Sequence, residues 1–153
     1  MSVLLTAVHK GPYLSIQPLE EELGPEQQVI YLVEGVSRQE RLQRRLHYFD
    51  LLNIESDWKN LEHFLHSSGV KAVIRSSSED VEGRNPEDLA SVAASNLGIP
   101  VFVVEDFPGN YWFKPNQRLD GLFVEADSLS TLHQYRGIEP KAIHVRIRHG
   151  QHD

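Results

Sequence analysis

Short uninterrupted apolar runs alternate along the chain with segments in which apolar residues recur at helical spacing. Each change from one pattern to the other marks the boundary of a predicted element. Short apolar runs of the length expected for buried strands lie at residues 3–8, 29–33, 70–74, 101–104, 121–124 and 142–147. Between them, apolar residues recur at helical spacing within residues 14–23, 37–52, 56–67, 85–97 and 128–135. Because strands alternate with helices throughout, the pattern predicts an α/β fold with a single doubly wound, mostly parallel sheet of about five or six strands.

Residues 70–106 contain the most complete unit of this pattern: a strand, a polar loop, a capped helix and a second strand. Asn85 is a residue type that begins helices, and Gly98 is the type that ends them. A right-handed crossover between adjacent parallel strands places the loops after Ile74 and Val104 at the carboxyl edge of the sheet, where open α/β sheets bind ligands. We expect the loop after the first strand at the same edge.

The segment after the second strand predicts a long helix. Ser37 and Glu40 have the spacing of a capping box at its start. The apolar stripe of this helix consists of Leu42, Leu46, Phe49 and Leu52. The residues outside the stripe, which are predicted to form a solvated face, are Arg41, Arg44 and Arg45.

Composition narrows the classes of function. The 153-residue chain has a net charge of -7 and a pI of about 5.6, which argues against general binding to nucleic acids or anionic membranes. It contains no cysteine, so disulfides and thiolate chemistry are excluded. The chain begins with a strand-like run rather than a signal peptide, and its longest apolar run is far shorter than the roughly 18 residues of a membrane span. These features favour a soluble, cytoplasmic protein that forms one domain over residues 1–153.

The loop after the first strand is one candidate for ligand binding. His9, Lys10 and Gly11 lie where a doubly wound fold presents backbone N–H groups to an anion. The segment lacks the glycine spacing of dinucleotide-binding and P-loop motifs, which disfavours both activities. A tight turn with a solvated histidine and lysine is the alternative.

The loop after the third strand is a second candidate. Arg75 with Ser76, Ser77 and Ser78 would place a cation and three hydroxyls at the end of a central strand. These groups suit a sugar, a phosphate or a carboxylate. Serine-rich loops are also ordinary turns, so the function of this loop stays open.

The loop after the fourth strand has the richest chemistry. Glu105 and Asp106 supply carboxylates, and Asn110 and Tyr111 follow, with Trp112 beside them. Carboxylates beside aromatic rings suit carbohydrates, because the carboxylates accept hydrogen bonds from hydroxyls and the rings contact the C–H faces of a sugar. Alternatively, the aromatic residues of positions 111–113 cover the edge of the sheet as part of the core.

The eight histidines are scattered, so we predict neither a metal site nor a cofactor. In the tail, His144, Arg146 and Arg148 alternate on one face of the last predicted strand, and more polar residues follow to His152. This row of cations could meet a phosphate or an acidic partner. Protection of an exposed edge strand by charge explains it equally well.

Several short motifs, taken in order, resemble a known group of proteins. They are HKG at 9–11, IRSSSED at 74–80, AASNLGIPV at 93–101, EDFPGNY at 105–111, DGLFV at 120–124, GI at 137–138 and RHGQ at 148–151. Together they resemble the N-terminal half of two-domain, GT-B-type glycosyltransferases and the related sugar-nucleotide epimerases of polysaccharide biosynthesis. The resemblance covers nearly the whole chain.

This resemblance implies a Rossmann-like fold and an acceptor-side half that binds a sugar, a sugar phosphate or another anionic ligand. In such proteins the C-terminal half binds the nucleotide-sugar donor, so a partner chain supplying that half would be needed for catalysis. The predicted ligand-binding residues are His9, Lys10, Gly11, Arg75, Ser76, Ser77, Ser78, Glu105, Asp106, Asn110 and Tyr111. A non-enzymatic, flavodoxin-like interaction or regulatory domain is the alternative.

Overall fold

The computed structural model describes residues 2–24, 26–51, 53–54, 58–78, 85–112, 114 and 116–145. The strands are β1 (Ser2–Ala7), β2 (Gln28–Val33), β3 (Val70–Arg75), β4 (Val101–Val104), β5 (Gly121–Val124) and β6 (Ile143–Val145). The helices are α1 (Lys10–Ile16), α2 (Pro18–Leu23), α3 (Gly35–Gln43), α4 (Trp58–Ser67), α5 (Pro86–Leu97) and α6 (Asp127–Tyr135), and a 3₁₀ turn covers Pro140–Ala142.

The strands of this described region form one sheet of order β2-β1-β3-β4-β5-β6, in which every neighbouring pair is parallel. The predicted α/β fold with a doubly wound parallel sheet is therefore confirmed. Chain order reverses between β1 and β3, because β2 lies on one side of β1 and all later strands lie on the other. In such sheets the crevice outside this point of reversal is the usual place for a ligand.

Strand β1 is covered on both faces of the sheet. All six of its residues are buried. Leu4 belongs to the core beneath α4 and α5, whereas Leu5 belongs to the core on the other face, with Tyr13 and Ile16 of α1. Successive side chains of a strand point to opposite faces, so a strand that is apolar at both must be covered on both.

Helix α5 begins and ends where the sequence predicts. The Asn85 side chain accepts hydrogen bonds from the backbone N–H groups of Glu87 (2.9 Å) and Asp88 (3.4 Å). At the other end, Gly98 has a left-handed φ of 72°, which glycine adopts at little cost. Both predicted caps are confirmed.

The helix predicted over residues 14–23 is instead divided into α1 and α2 at Gln17. Pro18 begins α2. Proline has no N–H to donate and its ring crowds the preceding turn, so it starts a new helix more readily than it continues one.

The prediction for α3 is wrong at both ends. The helix begins at Gly35, so Ser37 lies inside it and no capping box forms; its hydroxyl instead donates to the carbonyls of Ala7 (2.6 Å) and Glu34 (2.8 Å). The helix ends at Gln43, and Phe49 lies beside β2, where its N–H donates to Tyr31 O (2.8 Å). Leu52 lies outside the described residues. The segment turns back because this pairing covers the outer edge of the sheet.

Arg41 is buried, although the sequence predicts that it lies on a solvated face. It is only 2% exposed, and its guanidinium lies 3.6 Å from the centre of the Tyr31 ring. Nη1 pairs with Glu20 Oε2 (3.2 Å), and Nε donates to His47 O (2.7 Å). Arg44 and Arg45 remain exposed, as expected. Burial of Arg41 is possible because these partners replace the water that its charge loses.

The last strand, β6, starts at Ile143, one residue later than predicted, and its described part ends at Val145. The rest of the basic tail, including Arg146, Arg148 and His152, lies outside the described residues. Within the described part of the chain, no helix is long and apolar enough to cross a membrane.

Candidate functional site

Three loops meet at the carboxyl edge of the sheet, as predicted. The loop after β1 contacts the loop after β3 through the Val8 N–H, which donates to Ser78 Oγ (3.3 Å). The loop after β3 contacts the loop after β4 through the Asp106 N–H, which donates to Ser77 Oγ (3.1 Å). The meeting point therefore lies at the reversal of strand order between β1 and β3.

A cluster of Ser77, Asp106 and Asn110 forms the centre of this meeting point. The Ser77 hydroxyl donates to Asp106 Oδ1 (2.7 Å). The Asn110 side-chain amide donates to the same oxygen (3.0 Å) and to the backbone carbonyl of Ser77 (3.1 Å). Asn110 Oδ1 is buried and has no hydrogen-bond partner among the described residues, so it can accept one more hydrogen bond.

Two cavities flank this cluster and share Ser77, Ser78 and Asn110. The first has a volume of about 360 Å³ and is also lined by His9, Pro12, Asp106 and Phe107. The second has a volume of about 380 Å³ and is also lined by Arg75, Tyr111, Trp112 and Lys114. We call the two together the crevice. Each is in the size range of small-molecule pockets.

Two of the predicted ligand-binding side chains lie beneath the crevice instead of lining it. The buried Ser76 hydroxyl donates to Val104 O (3.2 Å). The carboxylate of Glu105 accepts hydrogen bonds from the N–H groups of Gly109 (2.9 Å) and Tyr111 (3.1 Å), and it lies 2.8 Å from Nε2 of buried His133. These two side chains therefore shape the loops that carry the lining residues.

Lys10 and Gly11 lie at the margin of the crevice. Lys10 is exposed and its Nζ is 3.9 Å from Glu40 Oε1, so it lines neither cavity. A Cβ atom at Gly11 would be 3.1 Å from Asp106 Oδ2. The absence of a side chain at Gly11 thus lets the start of α1 approach the Asp106 carboxylate.

The second cavity contains a charged network that the sequence did not reveal. Arg75 is buried and donates through Nη1 to Asp88 Oδ1 (2.8 Å) and Gln117 Oε1 (2.8 Å). Lys114 Nζ donates to Asp88 Oδ2 (2.6 Å). Burial alone would raise the pKa of Asp88, but Arg75, Lys114 and Gln117 together hold it below its ordinary value. Asp88, Lys114 and Gln117 stand in no motif, so only the fold could bring them together.

Glu87, next to Asp88, behaves in the opposite way. Its side chain is fully buried, and burial raises its pKa from 4.5 to about 7, although Arg75 and Ser78 oppose the rise. Among the described residues, Arg75 is a neighbouring cation, with its Nε 3.9 Å from Glu87 Oε1. Within the described residues, neither carboxylate oxygen has a hydrogen bond of ordinary geometry. Burial therefore disfavours the ionised form of Glu87.

The aromatic residues of the loop after β4 are predicted either to contact a sugar ring or to cover the edge of the sheet, and the two described residues differ in this respect. Tyr111 is buried in the core with Val103 and Leu122. Trp112 is 60% exposed, and the Arg136 guanidinium lies 3.7 Å from the centre of its ring. Phe113 lies outside the described residues. Tyr111 thus covers the sheet edge, and Trp112 leaves a ring face at the crevice.

The described residues contain no group of three or more histidine and carboxylate side chains placed to hold a metal ion. The acidic residues at 79, 80 and 82 lie outside the described residues, as does Arg84. The described groups that can contact a ligand at this site are hydroxyl, amide, carboxylate and cationic groups.

Solved structures of known proteins share the fold of this chain. No protein-family model and no curated protein matches the chain. Among solved structures, it is similar to a UDP-N-acetylglucosamine 2-epimerase from Rickettsia bellii, with a TM-score of 0.62, 16% identity and coverage of 94% of this chain and 44% of that one. It is also similar to the S. aureus MnaA–UDP co-structure, with a TM-score of 0.63, 15% identity and coverage of 95% and 43%.

A glycosyltransferase from Rickettsia africae gives a TM-score of 0.63 at 12% identity, over 96% of this chain and 42% of that one. The chain therefore spans less than half the length of the structures it matches. At such low identity the likeness concerns the fold alone. The predicted resemblance in fold to part of a glycosyltransferase or sugar-nucleotide epimerase is confirmed.

Proposed function

We propose that the chain is the acceptor-side unit of a glycosyltransferase-like or epimerase-like protein and binds a sugar-containing ligand in the crevice. The observation that carries this proposal is the cluster of Ser77, Asp106 and Asn110, which joins the loops after β3 and β4 beside the reversal of strand order. In doubly wound sheets this is where ligands bind. The Asp106 carboxylate then offers an acceptor for sugar hydroxyls.

The lining of the crevice supports a sugar over a purely apolar ligand. Phe107 and Trp112 are both largely exposed beside the two cavities, and their rings can contact the C–H faces of a sugar ring. Hydroxyl, amide and carboxylate groups lie between them. This combination of ring faces and convergent polar groups is typical of carbohydrate recognition.

We further propose that catalysis requires a partner half. The chain spans 42–44% of the epimerase and glycosyltransferase structures that share its fold. The partner would supply the donor-binding unit, so the chain alone is expected to turn over no nucleotide sugar. A flavodoxin-like interaction domain is not favoured, because the matched structures named above are sugar-nucleotide epimerases and a glycosyltransferase.

NMR titration tests the binding proposal. Isotope-labelled chain is titrated with glucose, N-acetylglucosamine, glucuronate and glucose 6-phosphate, and shifts are expected at residues 77–78, 106 and 110. Asp106→Asn should weaken binding by about tenfold, because it removes a charged acceptor and keeps an oxygen for Ser77. Glu139→Gln, an exposed carboxylate beside the cavity at the opposite edge of the sheet, is the matched control.

Two results would contradict the proposal. The first is the absence of shifts with every member of the panel. The second is a set of shifts confined to the cavity of about 600 Å³ at the opposite edge, lined by residues 118–120, 137–139 and 141–142. Turnover of UDP-N-acetylglucosamine by the isolated chain at an ordinary enzymatic rate would overturn the need for a partner half alone.

A further inference from the structure

The two cavities of the crevice differ in charge. In the first, Asp106 is the charged group, and its Oδ2 lies toward the start of α1. In the second, Arg75 and Lys114 are the charged lining residues. One ligand that spans the crevice therefore meets an acceptor of hydrogen bonds at one end and cations at the other.

The cations of the second cavity are incompletely compensated within the described residues. Arg75 and Lys114 share a single ionised carboxylate, that of Asp88. The other nearby carboxylate is Glu87, which is buried, lies 3.9 Å from Arg75 and has no hydrogen bond of ordinary geometry. Burial raises the pKa of Glu87, so Asp88 is the described carboxylate that balances the two cations.

Lys114 is the member of this cluster that a ligand can reach. Its side chain is 37% exposed, whereas that of Arg75 is 2% exposed. Arg75 pairs with Oδ1 of Asp88 and Lys114 with Oδ2, so the ammonium group keeps two further N–H donors for another anion. Trp112 lines the same cavity and offers a ring face next to Lys114.

We infer, on the basis of the proposed function, that the ligand of the crevice is an acidic monosaccharide whose anionic group binds at Lys114 and whose hydroxyls face Asp106. The opposite orientation is disfavoured, because the Asp106 carboxylate would repel an anion at the end formed by His9 and Asp106. An acidic sugar satisfies the donors and acceptors of both cavities at once. A neutral sugar leaves the cationic end unused.

Comparison of D-glucuronate with D-glucose tests this inference, because the two probes share the ring and differ in the carboxylate. Calorimetry or NMR titration of the full chain should show glucuronate binding about tenfold more tightly than glucose. Lys114→Gln should abolish this preference, and Lys114→Arg should keep most of it. Lys141→Gln removes an exposed lysine at the opposite edge of the sheet and should leave the preference unchanged.

The outcomes separate the two proposals. Equal affinity for glucose and glucuronate overturns the inference and leaves sugar binding intact. An equal loss of glucuronate affinity in Lys141→Gln and Lys114→Gln also overturns it, since net charge alone would then explain the preference. Absence of binding by both sugars overturns the inference and, with the wider panel negative, the proposed function as well.

Discussion

Helices α3 and α5 are held in place by interactions of different range. The ends of α5 are stabilised by Asn85 and Gly98, residues next to the turns they cap. Helix α3 has no side-chain cap and depends on distant groups: Ser37 donates to Ala7 O, and Arg41 contacts Glu20 and Tyr31. A helix with local caps can therefore be located from a short segment, whereas the ends of α3 depend on the groups that pack against it.

The largest expected effect tests the tertiary support of α3. Arg41→Met should lower the free energy of unfolding by about 2–4 kcal/mol, because it leaves Glu20 and the His47 carbonyl without their buried donor. Urea denaturation measures the change. Arg44→Met alters an arginine at the end of the same helix that is 56% exposed, and it should cost less than about 0.5 kcal/mol. Similar losses in both variants would show that burial of Arg41 contributes nothing.

The next prediction concerns Glu87, which the first turn of α5 carries into the interior. Its pKa is 4.5 ordinarily and about 7 in the fold, so the folded state holds a proton that the unfolded chain has released within this range. The stabilisation from this group is greatest below pH 4.5 and is lost as pH rises through about 7, by about 3 kcal/mol. Glu87→Gln should remove this loss in denaturation curves recorded from pH 4 to 8.

Glu139→Gln serves as the control for Glu87→Gln, because it neutralises an exposed glutamate and should leave the pH profile unchanged. A Glu87→Gln profile that still falls between pH 4.5 and 7 as steeply as the parent profile would mean that Glu87 is ionised in the folded chain.

A smaller effect is expected at the first residue of α3. Gly35 has a φ of 57°, and an added Cβ would lie 3.3 Å from Val8 Cγ1, so Gly35→Ala should cost about 1–2 kcal/mol. Gly69 has a φ of 65° with nothing within 4 Å of an added Cβ, so Gly69→Ala measures the backbone cost alone. An equal loss of stability in the two alanine variants would show that the contact with Val8 adds no cost.

The smallest effect concerns the local cap of α5. Asn85→Ala should cost about 1 kcal/mol, since it leaves the N–H groups of Glu87 and Asp88 without their acceptor. Asn85→Asp keeps an acceptor and should recover most of the loss. An unchanged denaturation midpoint in Asn85→Ala would contradict the role of the cap.

The candidate site shows the same division between local and distant causes. The meeting of the loops after β1, β3 and β4 could be predicted, because parallel strands bring their carboxyl ends to one edge. Which side chains line the crevice could not be predicted from residue type. Ser76 and Ser77 are identical neighbours, yet one hydroxyl lies beneath the crevice and the other binds Asp106. Side chains alternate along an extended segment, and only packing decides which alternate set faces inward.

The alternation of strands and helices and the two ends of α5 can be predicted from the amino-acid sequence alone. These features depend on periodicity and on caps within a few residues. Tertiary contacts set the two ends of α3, bury Arg41 and bring Asp88 and Lys114 together with Arg75. The reason is energetic: local propensities differ by tenths of a kcal/mol per residue, whereas a buried charge or hydroxyl without its partner costs about 1–3 kcal/mol or more.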